Sequence, residues 1–332
     1  MSIRKGIIVI LSIIFLTSCW FSPQNKTRYL VAFNPAPDIH LFDVNDCTIE
    51  NITENMFTSQ YSATLSDFSS DGHYVLFNVD TMCMGTYGLH WDPSNSLYCY
   101  DVQMRTIDRL TDTMYRKESA RFSPDNEKIV FMCSSNIFIM NKDGSDYHDL
   151  CPTIQHEFWP SFSADGQYVY YVRLKNQEFN ICRNTLDGFN EEVLSNDNFQ
   201  NTSYCVNEDE SMLYYDGTGI VGKNLNDGTL VQLTPVNVFG NYYGKPKLSP
   251  GDSLLAYRHN YNQGNHACIM NTDGSNKQEI SEAYDFEFSL DGKYLFCQWF
   301  EGIARYDIST GILDTLYQDS INSIYMEVAI AR

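Results

Sequence analysis

The sequence predicts an all-β fold in which a unit of four strands repeats around a ring, a β-propeller. A ten-residue pattern, FSADGQYVYY at residues 162–171, has five further copies along the 332-residue chain. The first residues of successive copies lie 54, 40, 44, 42 and 40 residues apart. No stretch from residue 28 onward carries a helical stripe of apolar residues. A regular period near 42 residues with several apolar runs per period is typical of propeller blades.

The six copies share one plan. They read FSSDGHYVLF from Phe68, FSPDNEKIVF from Phe122, FSADGQYVYY from Phe162, VNEDESMLYY from Val206, LSPGDSLLAY from Leu248 and FSLDGKYLFC from Phe288. Each contains a turn before an alternating apolar run, and a second run, an Asp-Gly or related turn and a third run follow. Alternation with period two, bounded by such turns, predicts strand–turn–strand structure.

The Ser-x-Asp-Gly part of the pattern raises the question of catalysis, with Asp165 as a base or a metal ligand. A pattern that recurs around a ring cannot form a single catalytic centre. Its Ser and Asp oxygens can accept backbone N–H bonds at a bend, and Gly permits a positive φ. We therefore interpret Asp165 as structural. Asp143 and Asp273 are interpreted as hairpin-turn residues, because their loops lack the bidentate Glu of a calcium loop.

The two ends of the chain together predict one further blade. The N-terminal runs at residues 29–33, 39–44 and 49–53 have the character of a repeat that lacks its first strand. One period after Phe288 falls at Ile330, inside the C-terminal run IYMEVAIAR. Pairing that run with the N-terminal strands would close a ring of seven blades and remove a free sheet edge. A six-bladed ring with the N-terminal strands outside it is the alternative.

The repeated FSxDG turn followed by an Asp-Gly turn resembles the PD40 repeat of TolB-type propellers. The resemblance covers nearly the whole chain after the N-terminal segment. TolB itself is six-bladed, is soluble in the periplasm and carries an α/β domain before its propeller. Here only about nine residues separate Cys19 from the first predicted strand. The resemblance therefore implies the propeller and does not extend to the partner contacts of TolB.

The first 18 residues predict a lipoprotein signal peptide. Arg4 and Lys5 precede an apolar run that is too short to span a bilayer. The sequence Leu-Thr-Ser-Cys at residues 16–19 resembles a lipobox, which implies cleavage before Cys19 and acylation of that residue. An ordinary signal peptide or an uncleaved anchor is the alternative. The expected organisation is a signal peptide over residues 1–18, a lipidated tether over 19–27 and a propeller over 28–332.

The residues after the lipobox bear on location. Trp20 stands where enteric lipoproteins retained in the inner membrane have Asp, and no acidic residue occurs between Cys19 and Asp38. These features favour an outer-membrane lipoprotein of the bacterial cell envelope that faces the periplasm and is held by its lipid anchor. The formal net charge of −20 excludes nucleic acid as a partner, because such binding needs clustered Lys and Arg.

The cysteines after Cys19 are scattered and form no C-x-x-C pair. Most lie in alternating apolar runs, where a small buried hydrophobe is expected. Cys83 lies near the start of an insertion at residues 80–95 and Cys99 follows it, so these two are the candidate disulfide for an oxidising compartment. No metal or other cofactor is expected.

We expect function on one face of the ring. The FSxDG turns and the Asp-Gly hairpins share one face, the turn face. The loops between second and third strands and the connections between blades share the opposite face, the loop face, whose segments are rich in Tyr, Trp, Asn and His. The candidate ligand-binding residues are His156, Glu157, Trp159, Tyr242, Tyr243, Trp91, Asn260 and Tyr261. The alternative is that these aromatics only seal the channel.

Two functional hypotheses follow. The first is a non-catalytic binding or scaffold lipoprotein that recognises an envelope protein or a glycan. The second is an enzyme, a polysaccharide lyase or glycan hydrolase with a metal or acidic site at the channel mouth. Oligogalacturonate lyases are seven-bladed relatives of these repeats with a metal held by His, but no close His pair occurs here. The sequence has no G-x-S-x-G nucleophile elbow and no phosphate-binding loop.

Overall fold

The structure, a computed structural model, is all-β. It describes residues 27–35, 37–54, 56, 61–85, 88–112, 115–195, 203–262, 264–299, 302–318 and 323–331. In this part of the chain, 28 strands form seven antiparallel sheets of four strands each, which are the blades. No helix long and apolar enough to cross a membrane occurs among these residues. The predicted signal peptide, Cys19 and most of the tether lie outside them.

The blades follow one another along the chain. Blade 1 contains β1 (Arg28–Pro35), β2 (His40–Asp43), β3 (Thr48–Asn51) and β28 (Ser323–Ala331). Blade 2 contains β4 (Tyr61–Phe68), β5 (Tyr74–Gly85), β6 (Gly88–Asp101) and β7 (Thr106–Arg109). Blade 3 contains β8 (Lys117–Phe122), β9 (Lys128–Cys133), β10 (Asn136–Asn141) and β11 (His148–Asp149). Blade 4 contains β12 (His156–Phe162), β13 (Tyr168–Lys175), β14 (Glu178–Thr185) and β15 (Glu192–Val193).

The remaining three blades complete the ring. Blade 5 contains β16 (Tyr204–Val206), β17 (Met212–Asp216), β18 (Ile220–Asn224) and β19 (Leu230–Gln232). Blade 6 contains β20 (Asn241–Leu248), β21 (Leu254–Tyr261), β22 (Gly264–Asn271) and β23 (Gln278–Glu282). Blade 7 contains β24 (Asp285–Phe288), β25 (Tyr294–Trp299), β26 (Gly302–Asp307) and β27 (Ile312–Gln318). In blades 2 to 7 the first strand lies innermost.

The C-terminal strand closes the ring, as the period predicts. β28 is the innermost strand of blade 1 and pairs antiparallel with β1, so the sheet order is β28-β1-β2-β3. Ile330 pairs with Tyr29, and in blade 7 Phe288 pairs with Leu295 in the equivalent place. The seven-bladed ring with joined ends is confirmed, and the six-bladed alternative is wrong.

The FSxDG turn is structural, as predicted. The Ser163 hydroxyl donates to Asp165 Oδ1 at 2.7 Å and accepts the Tyr168 N–H at 2.9 Å. Asp165 Oδ1 also accepts the Gln167 N–H, and Gly166 has φ of 70°. The Ser163 hydroxyl and this amide lower the pKa of Asp165. Equivalent bonds join Ser to Asp in the copies from Phe68, Phe122 and Phe288.

The hydrophobic core lies between neighbouring blades, because each sheet buries both of its faces. β1 shows the pattern most simply. Leu30 and Ala32 pack against blade 2, and Val31 and Phe33 pack toward Phe296 of blade 7. All four of these β1 side chains are buried. Alternation along a strand therefore marks which neighbouring blade a residue contacts.

The predicted disulfide between Cys83 and Cys99 is wrong. Cys99 is a buried free cysteine in the core between blades 2 and 3. The register explains the result: Cys99 pairs with Leu76, whereas Cys83 pairs with His90 near the far end of the hairpin. The two cysteines are thus about seven residues, roughly 23 Å, apart along β5. A disulfide requires Cα atoms within about 7 Å.

Candidate functional site

The central channel opens on the loop face into a polar cavity of about 350 Å³. This cavity, the mouth, lies beside blades 1 to 4. Polar side chains from β5, β6 and β8 line it together with one aromatic side chain, that of Trp159. Asn95, Lys117 and Glu118 are among the lining residues, and Glu327 of β28 also lines the cavity. A cavity of this size and polarity can accept a side chain or a short loop of a partner.

A recurrent β-bulge shapes the mouth. The strand pairing is interrupted between Glu118 and Arg121 in β8, and between Phe158 and Ser161 in β12. Within these bulges Ser119 and Trp159 have positive φ values of 54° and 51°. Both stand three residues before the first residue of the repeat pattern, and both line the mouth. The bulge turns the side chain at this position out of the sheet and toward the cavity, which is a common role of bulges near functional sites.

A ring of charged side chains lines the channel below the mouth. Arg121 Nη1 lies 3.1 Å from Glu327 Oε1 and 3.7 Å from Asp67 Oδ1. On the opposite side Lys247 pairs with Glu287, and Lys245 pairs with Asp285. Four of these residues precede the pattern by one position, namely Asp67, Arg121, Lys247 and Glu287. None of these ring residues is among the predicted site residues, although the shared position before the repeat pattern is a signal in the sequence that points to them.

Burial perturbs the acids of this ring. Desolvation raises the pKa of Glu327 to about 8, against the opposing charges of Arg121 and Lys247. Desolvation likewise raises the pKa of Asp67, while Arg121 opposes the shift. The ring contains four carboxyl groups and three cations, so a proton on Glu327 or Asp67 relieves the excess negative charge.

Glu327→Gln is expected to flatten the pH dependence of stability. The native pKa of about 8 exceeds the ordinary value of 4.5, so the native state holds a proton that the unfolded chain releases. This stabilisation is fully present below about pH 4.5 and is lost as the pH rises through about 8. We expect a loss on the order of 2 kcal/mol for the native chain over that window, from about 1.4 kcal/mol per pKa unit discounted for coupling. Urea unfolding across the window measures it.

The matched control for this prediction is Glu127→Gln. The Glu127 side chain is mostly exposed and pairs with Lys142 on the surface. This variant should keep the pH slope of the native protein. An equal slope in Glu327→Gln and in the native chain would show that Glu327 is ionised throughout the window.

Glu157, one of the predicted ligand-binding residues, is not available to a ligand. Its side chain is fully buried and cannot contact a ligand on the loop face. Glu157 Oε1 accepts from Thr153 Oγ1 at 2.9 Å and from Arg173 Nη2 at 3.1 Å. The alternation of β12 points Glu157 into the blade, whereas the exposed His156 and Trp159 face outward. Glu157 is therefore part of an internal ion pair.

Two further candidates, Tyr243 and Tyr261, form a stack of rings with His259 and His266 on one face of the blade-6 sheet. Tyr243, His259 and His266 are neighbours in the register of β20, β21 and β22. The ring of Tyr243 lies 4.3 Å from that of His259, and Tyr261 lies 4.5 Å from His259 and 4.4 Å from His266. We call these four rings the blade-6 stack. Tyr243 is buried within it, so its role there is packing and not direct contact with a partner.

The remaining candidates lie apart. The Tyr242 hydroxyl donates to Asp216 Oδ2 at 3.1 Å, and Asn260 Nδ2 donates to Asn265 Oδ1 at 2.9 Å. The backbone of Trp91 pairs with that of Met82, and its side chain lies outside the described part. The candidates thus divide between the mouth, with Trp159, and blade 6, with Tyr242, Asn260 and Tyr261.

One group among the described residues could hold a metal ion. His259, Cys268 and Glu279 each offer one ligand atom, and these atoms lie within 4.8 Å of one another. The three residues come from β21, β22 and β23. The spacing of these residues along the chain gives no sign of the group, because only the pairing of the three strands brings His259, Cys268 and Glu279 together.

Comparison with known proteins identifies the fold. No protein-family model and no curated protein matches the chain. TolB from Acinetobacter baumannii is 13% identical, with a TM-score of 0.58 over 90% of this chain and 82% of that chain. An oligogalacturonate lyase in complex with manganese is 10% identical, with a TM-score of 0.64 over 88% and 85%.

A prolyl endopeptidase is 11% identical, with a TM-score of 0.65 over 94% of this chain and 50% of that chain. The chain is therefore a TolB-like propeller in fold. Proteins of several activities share this architecture at such low identity, so the likeness assigns the fold and leaves the activity to be argued from the site.

Proposed function

We propose that this protein is a non-catalytic binding lipoprotein of the bacterial cell envelope, which recognises another envelope protein through its loop face. The observation that carries the proposal is the group of exposed apolar side chains in the blade connections of the loop face. Val236, Val238 and Phe239 project from the connection between blades 5 and 6, and Ile154 projects from that between blades 3 and 4. Ile154 and Phe239 are fully exposed.

Exposed apolar loop tips on the same face as a polar cavity support a protein partner. Single exposed hydrophobic residues are common, but several on one face mark an interaction surface. Trp159, half-exposed at the rim of the mouth, adds an aromatic anchor of the kind that dominates binding energy. The strongly negative net charge favours a partner with a basic surface, since complementary charge speeds association.

The ion pairs of the channel support a binding role. Lys245 and Lys247 each contact a carboxylate of blade 7, and Arg121 contacts two carboxylates from blades 1 and 2. A general acid or base must lie within hydrogen-bond distance of the substrate atom that gains or loses the proton, and its own pKa must suit that transfer. Most carboxylates of this ring are instead occupied by a cation of the same ring.

A second candidate function is a polysaccharide lyase or glycan hydrolase with an acidic site in the channel. The raised pKa of Glu327 favours it, because strongly shifted groups in a cavity mark functional sites. The fold likeness to an oligogalacturonate lyase is compatible with it. This alternative requires turnover of a glycan that Glu327→Gln abolishes, whereas the binding proposal requires a partner that this variant still captures.

Site-specific photo-crosslinking in intact cells tests the proposal. A photoreactive amino acid is placed at Val238 or Trp159 on the loop face, and at Phe189 or Met104 on the turn face as matched exposed controls. We expect a common envelope protein to be captured from the two loop-face positions and not from the controls. A Cys19→Ala form should leave the membrane fraction and lose the crosslink. Equal capture from both faces, or capture of glycan only, contradicts a loop-face protein site.

A further inference from the structure

The group formed by His259, Cys268 and Glu279 lies at the loop-face side of blade 6, away from the mouth. Cys268 pairs directly with Glu279 across β22 and β23. His259 stands on the adjacent strand, where its register partner is His266. Side chains at these alternating positions share one face of the sheet. The Cys268 thiol is buried in the core against blade 5, while Glu279 is exposed at the outer strand.

The three donors fit a small divalent ion after slight adjustment. Their ligand atoms lie within 4.8 Å of one another. A tetrahedral zinc ion has bonds of about 2.0 to 2.3 Å, so its ligand atoms are roughly 3.5 Å apart. Rotation of the long, exposed Glu279 side chain can supply most of the difference. Three protein ligands leave a fourth position open.

Neighbouring polar groups orient the donors. Asn241 Oδ1 lies 2.6 Å from Nε2 of His259, which places a proton on Nε2 and leaves a lone pair on Nδ1. The Tyr261 hydroxyl donates to Glu279 Oε2 at 3.0 Å, which leaves Oε1 for another partner. Carbonyl and hydroxyl groups in such positions commonly hold metal ligands in place.

His266 supplies a second, independent observation. It is nine-tenths buried, and its Nδ1 lies 3.1 Å from Glu279 Oε1 at an angle that makes no hydrogen bond. A buried imidazole nitrogen without a hydrogen bond costs free energy. The blade-6 stack holds His266 against Tyr261, so this nitrogen stays close to the Glu279 carboxylate.

We propose that His259, Cys268 and Glu279 bind a divalent transition-metal ion of the zinc class, with His266 beside them as a supporting imidazole. The mixture of imidazole, thiolate and carboxylate suits zinc or cobalt and not magnesium or calcium, which require oxygen ligands. Binding forms a metal–sulfur bond as the Cys268 thiol proton leaves to solvent. The proposal is independent of the partner proposed for the loop face.

The test uses the full-length protein, purified in detergent, stripped with a chelator and titrated with Co²⁺ and Zn²⁺. We expect one Co²⁺ per chain, visible d–d bands of a tetrahedral site and a thiolate-to-cobalt charge-transfer band, which Zn²⁺ displaces. Cys268→Ser should remove the charge-transfer band and weaken Co²⁺ binding at least tenfold. His259→Gln should weaken binding to a similar extent.

Cys205→Ser is the matched control, because Cys205 is also a free cysteine but has no part in this group. It should bind Co²⁺ as the native protein does. Circular dichroism without metal checks that each variant folds. If the variant of the buried Cys268 does not fold, Glu279→Gln replaces it in the test, because Glu279 is exposed. Absence of a thiolate band in the native protein, or an unchanged band in Cys268→Ser, overturns the proposal.

Discussion

A chain that ends at residue 322 is expected to lose its cooperative fold. The truncation removes β28, which pairs with β1 through at least seven residues and contacts the innermost strands of blades 2 and 7. Backbone hydrogen bonds contribute about 1 kcal/mol each to stability. The free energy lost with these hydrogen bonds and with the Arg121–Glu327 ion pair is comparable with the roughly 5–15 kcal/mol by which a folded protein is typically stabilised. Limited proteolysis and thermal unfolding monitored by circular dichroism measure the effect.

A circular permutant is the matched control. Residues 323–332 are placed before residue 28 and joined to it through the Ser-Ala-Asp-Gly-Gln turn of the copy at residues 163–167. Every strand pair of blade 1 can then form, so we expect the permutant to recover protease resistance. If the truncated chain melts like the full-length protein, the ring does not depend on closure by its ends.

Arg173→Met is expected to destabilise the protein by about 3–5 kcal/mol, because it leaves a buried charge without its partner. Glu157 is fully buried, and the Arg173 side chain is 8% exposed. Arg173 also bonds Glu191 and the Tyr171 hydroxyl, so it is the centre of this network. Burial already raises the pKa of Glu157, and loss of Arg173 raises it further. The destabilisation should therefore be smaller at about pH 5 than at about pH 8. Urea unfolding at both pH values measures it.

Two control variants distinguish the effect of breaking this buried ion pair from the effect of removing any positive charge. The double variant Arg173→Met with Glu157→Gln should recover much of the loss, since no fully buried charge is then left unpaired and Glu191, the other carboxylate that Arg173 contacts, is partly exposed to solvent. Arg105→Met removes an exposed partner of Glu50, and surface pairs contribute at most about 1 kcal/mol. Equal losses in Arg105→Met and Arg173→Met would show that Glu157 is not held as a buried charge.

The fold could be predicted in detail because it is periodic. The FSxDG turn depends on bonds between residues at most five apart, such as Ser163 with Asp165 and Tyr168, so its sequence signature is local. Counting its period locates every blade, and the same count identifies Ile330 as the closing position. The predicted disulfide failed for the opposite reason. The number of residues between Cys83 and Cys99 does not give the distance between them in space, because both lie on the strands of one long hairpin at different heights.

The position of a candidate residue could be predicted more easily than its role. The alternation of strands and loops places Trp159 and Tyr261 on the loop face, and a ligand-binding role for either stays a prediction. Glu157 was misassigned because β12 already begins at His156, so Glu157 is a strand residue with a buried side chain and not a loop residue. Trp159 is exposed three residues after the exposed His156 because the bulge in β12 shifts the alternation. Single positions near a bulge cannot be assigned from alternation, since one additional residue reverses the pattern.

The sequence by itself determined the seven blades, the structural role of Asp165 and the closure by the two ends, because each rests on local turn chemistry and a constant period. Only the tertiary structure decided which charges meet in the channel and which donors converge in blade 6. Arg121 and Glu327 come from strands about 200 residues apart, and His259, Cys268 and Glu279 come from three strands. The reason is physical: the charges and metal donors interact over a few ångströms, and those distances exist only after the strands have paired.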